Sequence, residues 1–337
     1  MKAFHLKKKL RAQVALRFIL SAFCIIATAA HAQLIPVLGS QRAGTAMAQF
    51  LKIGVGARAA GMGEAFVAVA NDASALYWNP AGLAQTTSNE LLFSHIDWPV
   101  EVRHEFVGYV HRLGANALGL SVTALHTDDL EETTEFQPLG TGNYVPFGDI
   151  ALGLSFARQM TDRFSFGITL KYMEETLAEL HARNVFVDFG TYYRTGFGSS
   201  RFAVAVTNFG TNIKPSGTVT FRDGTSTNRF QDFSPPTIFR VGFATEVIDN
   251  DAHRITTSLQ LNHPNDNAEN VSAGAEYWWR KTLALRSGYR LNADEQSFTF
   301  GAGVAIPLAR FHFNLDFAYS DFGRLGNATR VAAHFRL

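Results

Sequence analysis

FSFGITLKY, residues 164–172, alternates without a break. Phe164, Phe166, Ile168, Leu170 and Tyr172 fall on one side, and Ser165, Gly167, Thr169 and Lys171 on the other. A period of two marks a strand, whose successive side chains leave opposite faces. DIALGLSFA (149–157) repeats the scheme, with Ile150, Leu152, Leu154 and Phe156 set against Ala151, Gly153, Ser155 and Ala157. SFTFGAGVAI (297–306) and RFHFNLDFAYS (310–320) follow it too. In a soluble sandwich the large residues point inward and the other face carries charge for water. Here the second face is mostly Gly, Ala, Ser and Thr. Large residues meeting lipid, around a filled lumen of small ones, account for both faces.

From Asn89 onward the same reading predicts about 14 strands, most of the length a tilted strand needs to cross an outer membrane. They run approximately 89–97, 102–113, 115–126, 147–160, 162–174, 183–195, 200–209, 236–248, 252–263, 269–280, 281–292, 295–306, 310–320 and 329–337. The odd connections include the long ones, 127–146 and 211–235, while the even ones are all short. Tight turns on one side and long loops on the other are the pattern of an outer-membrane barrel. An even count puts both ends of the barrel on the periplasmic side. Closure pairs every backbone N–H and C=O that lipid would leave unsatisfied. The last strand, TRVAAHFRL, places Val331, Ala333, Phe335 and Leu337 on the lipid face. It resembles the terminal strand read by barrel-assembly machinery, with Leu337 in place of the usual aromatic. Trp98, Trp278, Trp279, Tyr289 and Tyr319 lie toward strand ends, where girdle aromatics are expected.

The chain begins MKAFHLKKKLRAQVALRFILSAFCIIATAAHAQ, a basic segment, a short apolar run and an Ala30-His31-Ala32 site. This is the make-up of a secretory signal peptide over 1–32, cleaved before Gln33. The run is shorter than the roughly 20 residues of a spanning helix. The single cysteine, Cys24, falls within it, so the mature chain is expected to carry neither disulfides nor thiolate chemistry. A formal net charge of +1 gives no case for a nucleic-acid surface.

Residues 33–88 do not alternate. GVGARAAGMGEAFVAVANDASALYWNPAGLA (54–84) is crowded with small residues around Tyr77 and Trp78. Gly54, Gly56 and Ala59 fit a G-x-G-x-x-A spacing with Asp72 beyond. That fingerprint needs parallel strands around it, and only antiparallel ones follow. The segment instead reads as short helices and turns, with a helix over Glu64–Ala70 and Asn79-Pro80 stopping a second one. Gly82 allows close backbone approach. Small residues packed against a small-residue lumen describe a plug. Its expected key positions are Gly54, Gly56, Arg58, Gly61, Gly63, Asn71, Asp72, Trp78, Asn79, Pro80 and Gly82. The expectation is therefore an all-β, antiparallel transmembrane barrel (89–337) with a small helical N-terminal plug (33–88).

FLKIGVGARAAGMGEAFVAVANDASALYWNPAGLA, Phe50 to Ala84, resembles the N-terminal signature of the PorV/PorQ family. Those proteins are outer-membrane barrels related to the FadL fatty-acid channel. The ending FNLDFAYSDFGRLGNATRVAAHFRL (313–337) resembles the family's last hairpin. The resemblance implies a FadL-like, non-enzymatic barrel and a role in type IX protein secretion. Its partners would be the secretion translocon or cargo carrying a C-terminal signal domain. The other reading is a FadL-like transporter of hydrophobic compounds, with a hydrophobic small molecule as ligand. Outer-membrane lipid is a partner on either reading, and no cofactor or metal is implied.

Partner contacts are expected in the long loops. TNIKPSGTVTFRDGTSTNRFQDFSPP (211–236) offers Ile213, Val219, Phe221, Phe230 and Phe233, suited to docking or strand addition. A self-packed lid is the other possibility there. Asp128, Asp129, Glu131 and Glu132 form an acidic patch in the first long loop, read as solvated or as a cation or partner contact. Ser155 lies near but outside a G-x-S-x-G pattern and on a plain strand, so a structural serine is expected. His95, His104, His111 and His126 match no metal spacing and are expected to be lumen or rim residues. Lys171, Asp188, Arg240, Glu246, Glu276, Arg286, Arg290 and Asp316 face inward, where charges pair structurally or anchor a plug.

Overall fold

The computed structural model describes residues 42–98, 101–128, 130–221, 223–293, 298–308 and 311–337. The expected signal peptide, Cys24 and Asp129 lie outside them. The first seven barrel strands are β1 (Glu90–Trp98), β2 (Val102–Leu113), β3 (Asn116–His126), β4 (Phe147–Gln159), β5 (Phe164–Leu177), β6 (Leu180–Arg194) and β7 (Arg201–Gly210). The remaining seven are β8 (Ile238–Asp249), β9 (His253–Pro264), β10 (Asn270–Trp279), β11 (Leu283–Leu291), β12 (Phe298–Pro307), β13 (His312–Asp321) and β14 (Asn327–Arg336). Each pairs antiparallel with its sequence neighbours, and β1 pairs with β14 from Glu90↔Arg336 to Asp97↔Thr329. The sheet is thus a closed barrel with no free edge.

The alternation in the sequence is the alternation of the wall. In β4, Ile150, Leu152, Leu154 and Phe156 are exposed on the outer surface, while Ala151, Gly153, Ser155 and Ala157 are buried inside. β5 and β13 divide their faces in the same way.

The β5–β6 hairpin runs past the expected ends at 174 and 183, to a turn at Ala178 and Glu179. Its tip is polar, with Glu174 opposite Arg183 and an ion pair of 2.7 Å between them. A hairpin end built for water carries no hydrophobic period, so its strand character was invisible in the pattern. The expected girdle also divides. Trp279, Tyr289 and Tyr319 stand on the outer face, whereas Trp98 and Trp278 turn inward. Adjacent strand residues face opposite ways, so Trp278 and Trp279 cannot both meet lipid.

The core is the lumen. Nearly every residue from Val55 to Ala84 is buried there, and one apolar cluster joins Phe66, Leu76, Trp78 and Leu83 to wall residues such as Phe106, Val110 and Tyr192.

The plug and the two lumenal chambers

Gly56, at φ 85°, leads into helix α1 (Ala57–Gly61). Gly63 and Glu64 follow in the left-handed region at 64° and 62° and reverse the chain. The expected helix over Glu64–Ala70 is instead a series of turns. The left-handed Gly63 and Glu64 rule out a regular helix starting at Glu64, and across the lumen Gln260 Oε1 on β9 accepts from Phe66 N at 2.8 Å and Val67 N at 2.7 Å. Val67 N is satisfied across the lumen, while Phe66 N also reaches Glu64 O at 2.9 Å. Helix α2 (Ala75–Trp78) then ends at Asn79, and Pro80 opens a 3₁₀ turn through Gln85. Asn79 is fully buried and ties three segments together. Its Oδ1 accepts from Ala81 N, while Nδ2 donates to Val67 O and, on β6, to Thr191 O, each at 3.1 Å. Trp78 Nε1 donates to Val55 O at 2.9 Å, and its ring packs edge-on to Phe66 and Tyr77.

Small meets small along the contact. A Cβ added at Gly288 would overlap the backbone of Met62 and Gly63, and one at Gly167 would overlap Pro80 and Ala81. Gly274 lies equally close to Met62, and Gly301 faces Gly61. Within the plug, Gly82 presses on the Ala70 carbonyl. The inward face lacks side chains where the plug's own backbone needs the space.

Charge anchors the plug at a few points. Arg58 on α1 donates Nε and Nη2 to the two oxygens of Glu276 at 2.8 and 2.9 Å, and Nη1 to Asp72 at 2.7 Å and Asn71 at 2.9 Å. Glu276 also accepts from Arg286 Nε at 2.7 Å, and Arg286 Nη1 continues to Asp316 at 2.7 Å. Bidentate, buried and charge-assisted, this chain locks α1 to β10, β11 and β13. Asp72 also accepts from Ser74 N and Oγ. Burial alone would raise the Asp72 carboxyl, but Arg58 and the Ser74 hydroxyl hold it down at about 2. On the opposite side of the plug, Glu64 pairs with Arg290 and, at 3.7 Å, with Arg330. Arg201 reaches from β7 to Ala68 O at 2.8 Å while pairing with Glu246. Lys171 and Asp188 pair within the wall at 2.6 Å beside a bulge at Asn208.

The plug divides the lumen into two unlike ends. Toward the long loops, Phe50, Leu51, Leu125, Met173, Phe186 and Ile213 form an apolar cluster. The strap 45–53 that contributes to it is held by Met47 N to Ser234 O, Ala48 N to Glu175 and Lys52 to Asp266 at 2.8 Å. A hollow of about 160 Å³ beside it is lined by Glu64, Arg240 and Arg290. Toward the short turns lies a larger vestibule of about 440 Å³, bounded by Arg58, Asp72, Trp278, Lys281, Asn314 and Arg336.

The eleven expected plug positions therefore come together inside the barrel as packing and anchoring residues. Gly54 lies against the Glu64 carboxylate, and Gly56 N donates to Ser94 Oγ at 3.2 Å. Of the loop residues, Ile213 is buried in the apolar cluster and bridges to Phe233, which is half-buried like Val219 and Phe230. Phe221 remains 52% exposed beside a small hairpin (Val219–Thr220 with Ser226–Thr227). Ser155 shares a hydrogen bond with Thr169 at 2.7 Å under the plug. Of the four expected lumen or rim histidines, His95, His111 and His126 face outward and His104 faces the lumen, where neither ring nitrogen has a hydrogen-bond partner among the described residues. In the acidic patch Asp128 pairs with Arg103, while Thr141 and Asn143 hydrogen-bond to Glu132 and keep its carboxyl low.

Sequence reasoning missed Glu64, Ser94, Arg201, Gln260 and Arg330. Gln260 and Arg330 carried one available signal: each is a large polar residue at an inward position near the middle of its strand.

A closed antiparallel barrel of fourteen strands with its own N-terminal segment packed in the lumen defines an outer-membrane barrel of FadL-like architecture. Known structures share it. The chain is similar to the toluene transporter TbuX of Ralstonia pickettii, with a TM-score of 0.59 and 14% identity over 84% of this chain and 97% of that one. It is similar to the toluene transporter TodX of Pseudomonas putida, at 0.55 and 14% over 84% and 97%. A FadL homologue from Pseudomonas aeruginosa gives 0.51 and 12% over 83% and 96%. At this identity the likeness is one of fold. The model of an uncharacterised protein family (UPF0164) matches residues 22–176, which take in the plug and the first strands. No curated protein matches the chain in sequence.

Proposed function

We propose that the protein admits small hydrophobic molecules across the outer membrane. The supporting observation is the lumen toward the long loops. It holds a packed apolar cluster of Phe50, Leu51, Met173, Phe186 and Ile213 beside a hollow of about 160 Å³, within an architecture like that of barrels described as toluene transporters. An apolar cluster bordering a hollow that carries a few polar groups, Glu64, Arg240 and Arg290, suits a small-molecule site. The residues 1–32 are then the export signal, the long loops face the exterior and the short turns the periplasm. Uptake of labelled toluene by cells with and without the gene tests this. Faster uptake that returns on complementation is expected. Equal uptake in both strains would overturn it.

A second reading, a component of type IX secretion, has its own observation. Loop 127–146 carries Phe136 and Leu139 at 94% and 96% exposure, and loop 211–237 presents Phe221. Exposed apolar side chains on long outer loops suit a protein partner such as a translocon or a C-terminal cargo domain. Mass spectrometry of proteins retained through gentle extraction separates the readings. A large translocon or cargo sharing a C-terminal β-domain favours secretion, and a lone barrel with a bound apolar molecule favours transport.

A further inference from the structure

We propose that the short-turn vestibule binds a small anion, a phosphate or carboxylate group carried on a partly apolar body. The hollow of about 440 Å³ is in the size range of small-molecule sites. Its cations fall into two groups. Arg58, held by Glu276 and Asp72, belongs to the plug anchor, and Arg254 lies 3.3 Å from Asp249, so both already face carboxylates. Arg280 and Lys281 at the rim have no carboxylate partner among the described residues, and Arg336 lies 3.5 Å from Glu90 with its Nε making no hydrogen bond. The two carboxylates lining the hollow, Asp72 and Asp316, are already engaged. A ligand therefore meets, in Arg280 and Lys281, cations that no carboxylate among the described residues neutralises, with the Arg280 guanidinium stacked 5.3 Å over the Trp279 ring.

The strand register assembles these groups on one rim. Ala305 N donates to Thr282 O at 2.7 Å, Ala305 stands opposite Asn314, and Asn314 opposite His334. His312 stands opposite Arg336 in the next inward row. Ala305 leaves room between the polar positions, and Trp278 and Leu92 supply apolar wall.

An independent observation comes from the turn. Arg280 and Lys281 are the two central residues between β10 and β11, both left-handed at φ 49° and 56°, closed by Thr282 N to Trp279 O at 3.0 Å. Such a turn favours Asn-Gly, because a side chain with a Cβ is strained there. Two long cations stand instead where turn chemistry alone would select neither. Strained positions that hold chemistry point to a ligand.

The same strain supplies a clean variant. Arg280→Asn with Lys281→Gly installs the preferred turn, so the barrel should fold at least as well while the rim loses two cations. Isothermal titration of the full-length protein in detergent would use phenyl phosphate, with inorganic phosphate for comparison. The expected result is binding of phenyl phosphate that weakens with added salt, is tighter than that of inorganic phosphate, and falls about tenfold or more in the double variant. Competition by phosphatidylglycerol micelles would assign the anion to a lipid headgroup, and its absence to a soluble ester. No heat from phenyl phosphate at millimolar concentration, or equal affinity in a correctly folded double variant, would overturn the proposal. Neither result touches the transport reading, which concerns the opposite end of the lumen.

Discussion

The wall and the plug are stabilised by opposite means. The wall is periodic: each strand repeats one rule, and its backbone hydrogen bonds are made by neighbours in a closed ring. The plug has no period and little regular structure. Many of its backbone donors are met within the plug, but its anchoring contacts are made by the wall, through Gln260, Glu276, Arg201 and Thr191. A region that makes its own bonds tolerates change locally, whereas one that borrows them fails wherever the lender is altered.

The largest effect should come from breaking the charged anchor on the wall side. Glu276→Gln leaves Arg58 and Arg286 each short of a partner in a buried site. Removing one member of a buried ion pair typically costs about 3–5 kcal/mol. Urea unfolding in detergent should show that loss, and limited proteolysis should cut the plug while the barrel stays intact. A variant with wild-type stability and a protected plug would show that the anchor does not hold it.

Gly288→Val tests the small-against-small contact. The added atoms would occupy the place of Gly63, and overpacking of this kind costs about 1–3 kcal/mol, occasionally more. The plug should become protease-sensitive without a change in strand content by circular dichroism. Leu154→Val, on the outer face of β4, should leave plug protection unchanged.

These two regions also differ in how far the sequence could be read. Alternation placed fourteen strands and their faces, because each lipid-facing residue must be apolar whatever its neighbours are. The plug's location followed from composition, since only a confined segment has use for so much Ala and Gly beside Trp78. Its contacts did not. Nothing near Glu64–Ala70 announces that Glu64 will turn left-handed or that Gln260, almost two hundred positions away, will accept from its backbone at Phe66 and Val67. The polar tip of the β5–β6 hairpin escaped for a related reason, since its neighbours are water and each other. For Ile213 the sequence left partner contact and a self-packed lid both open, and the fold packs it into the buried apolar cluster.

Acid should loosen the anchor by a smaller amount. Asp72 is depressed in the folded state, so its contribution is present in full above the ordinary carboxylate range. It is lost as pH falls from about 4 through the folded value of about 2. The shift corresponds to about 2 kcal/mol. Unfolding midpoints measured at pH 5, 3 and 2 should fall across that window. Asp72→Asn should remove this part of the pH dependence, and an unchanged slope would place the titration elsewhere.

Ser155→Ala should have the smallest effect and separates wall from plug most sharply. Ser155 and Thr169 bond to each other on adjacent inward positions of β4 and β5, so the partner left behind belongs to the wall itself. Losing one such bond costs about 1 kcal/mol. Barrel stability should drop by that amount, while plug protection, which depends on Asn79 and Arg58, should stay as it was. If the plug is released instead, then even the wall's own hydrogen bonds support it, and the division between a self-sufficient ring and a dependent insert would have to be given up.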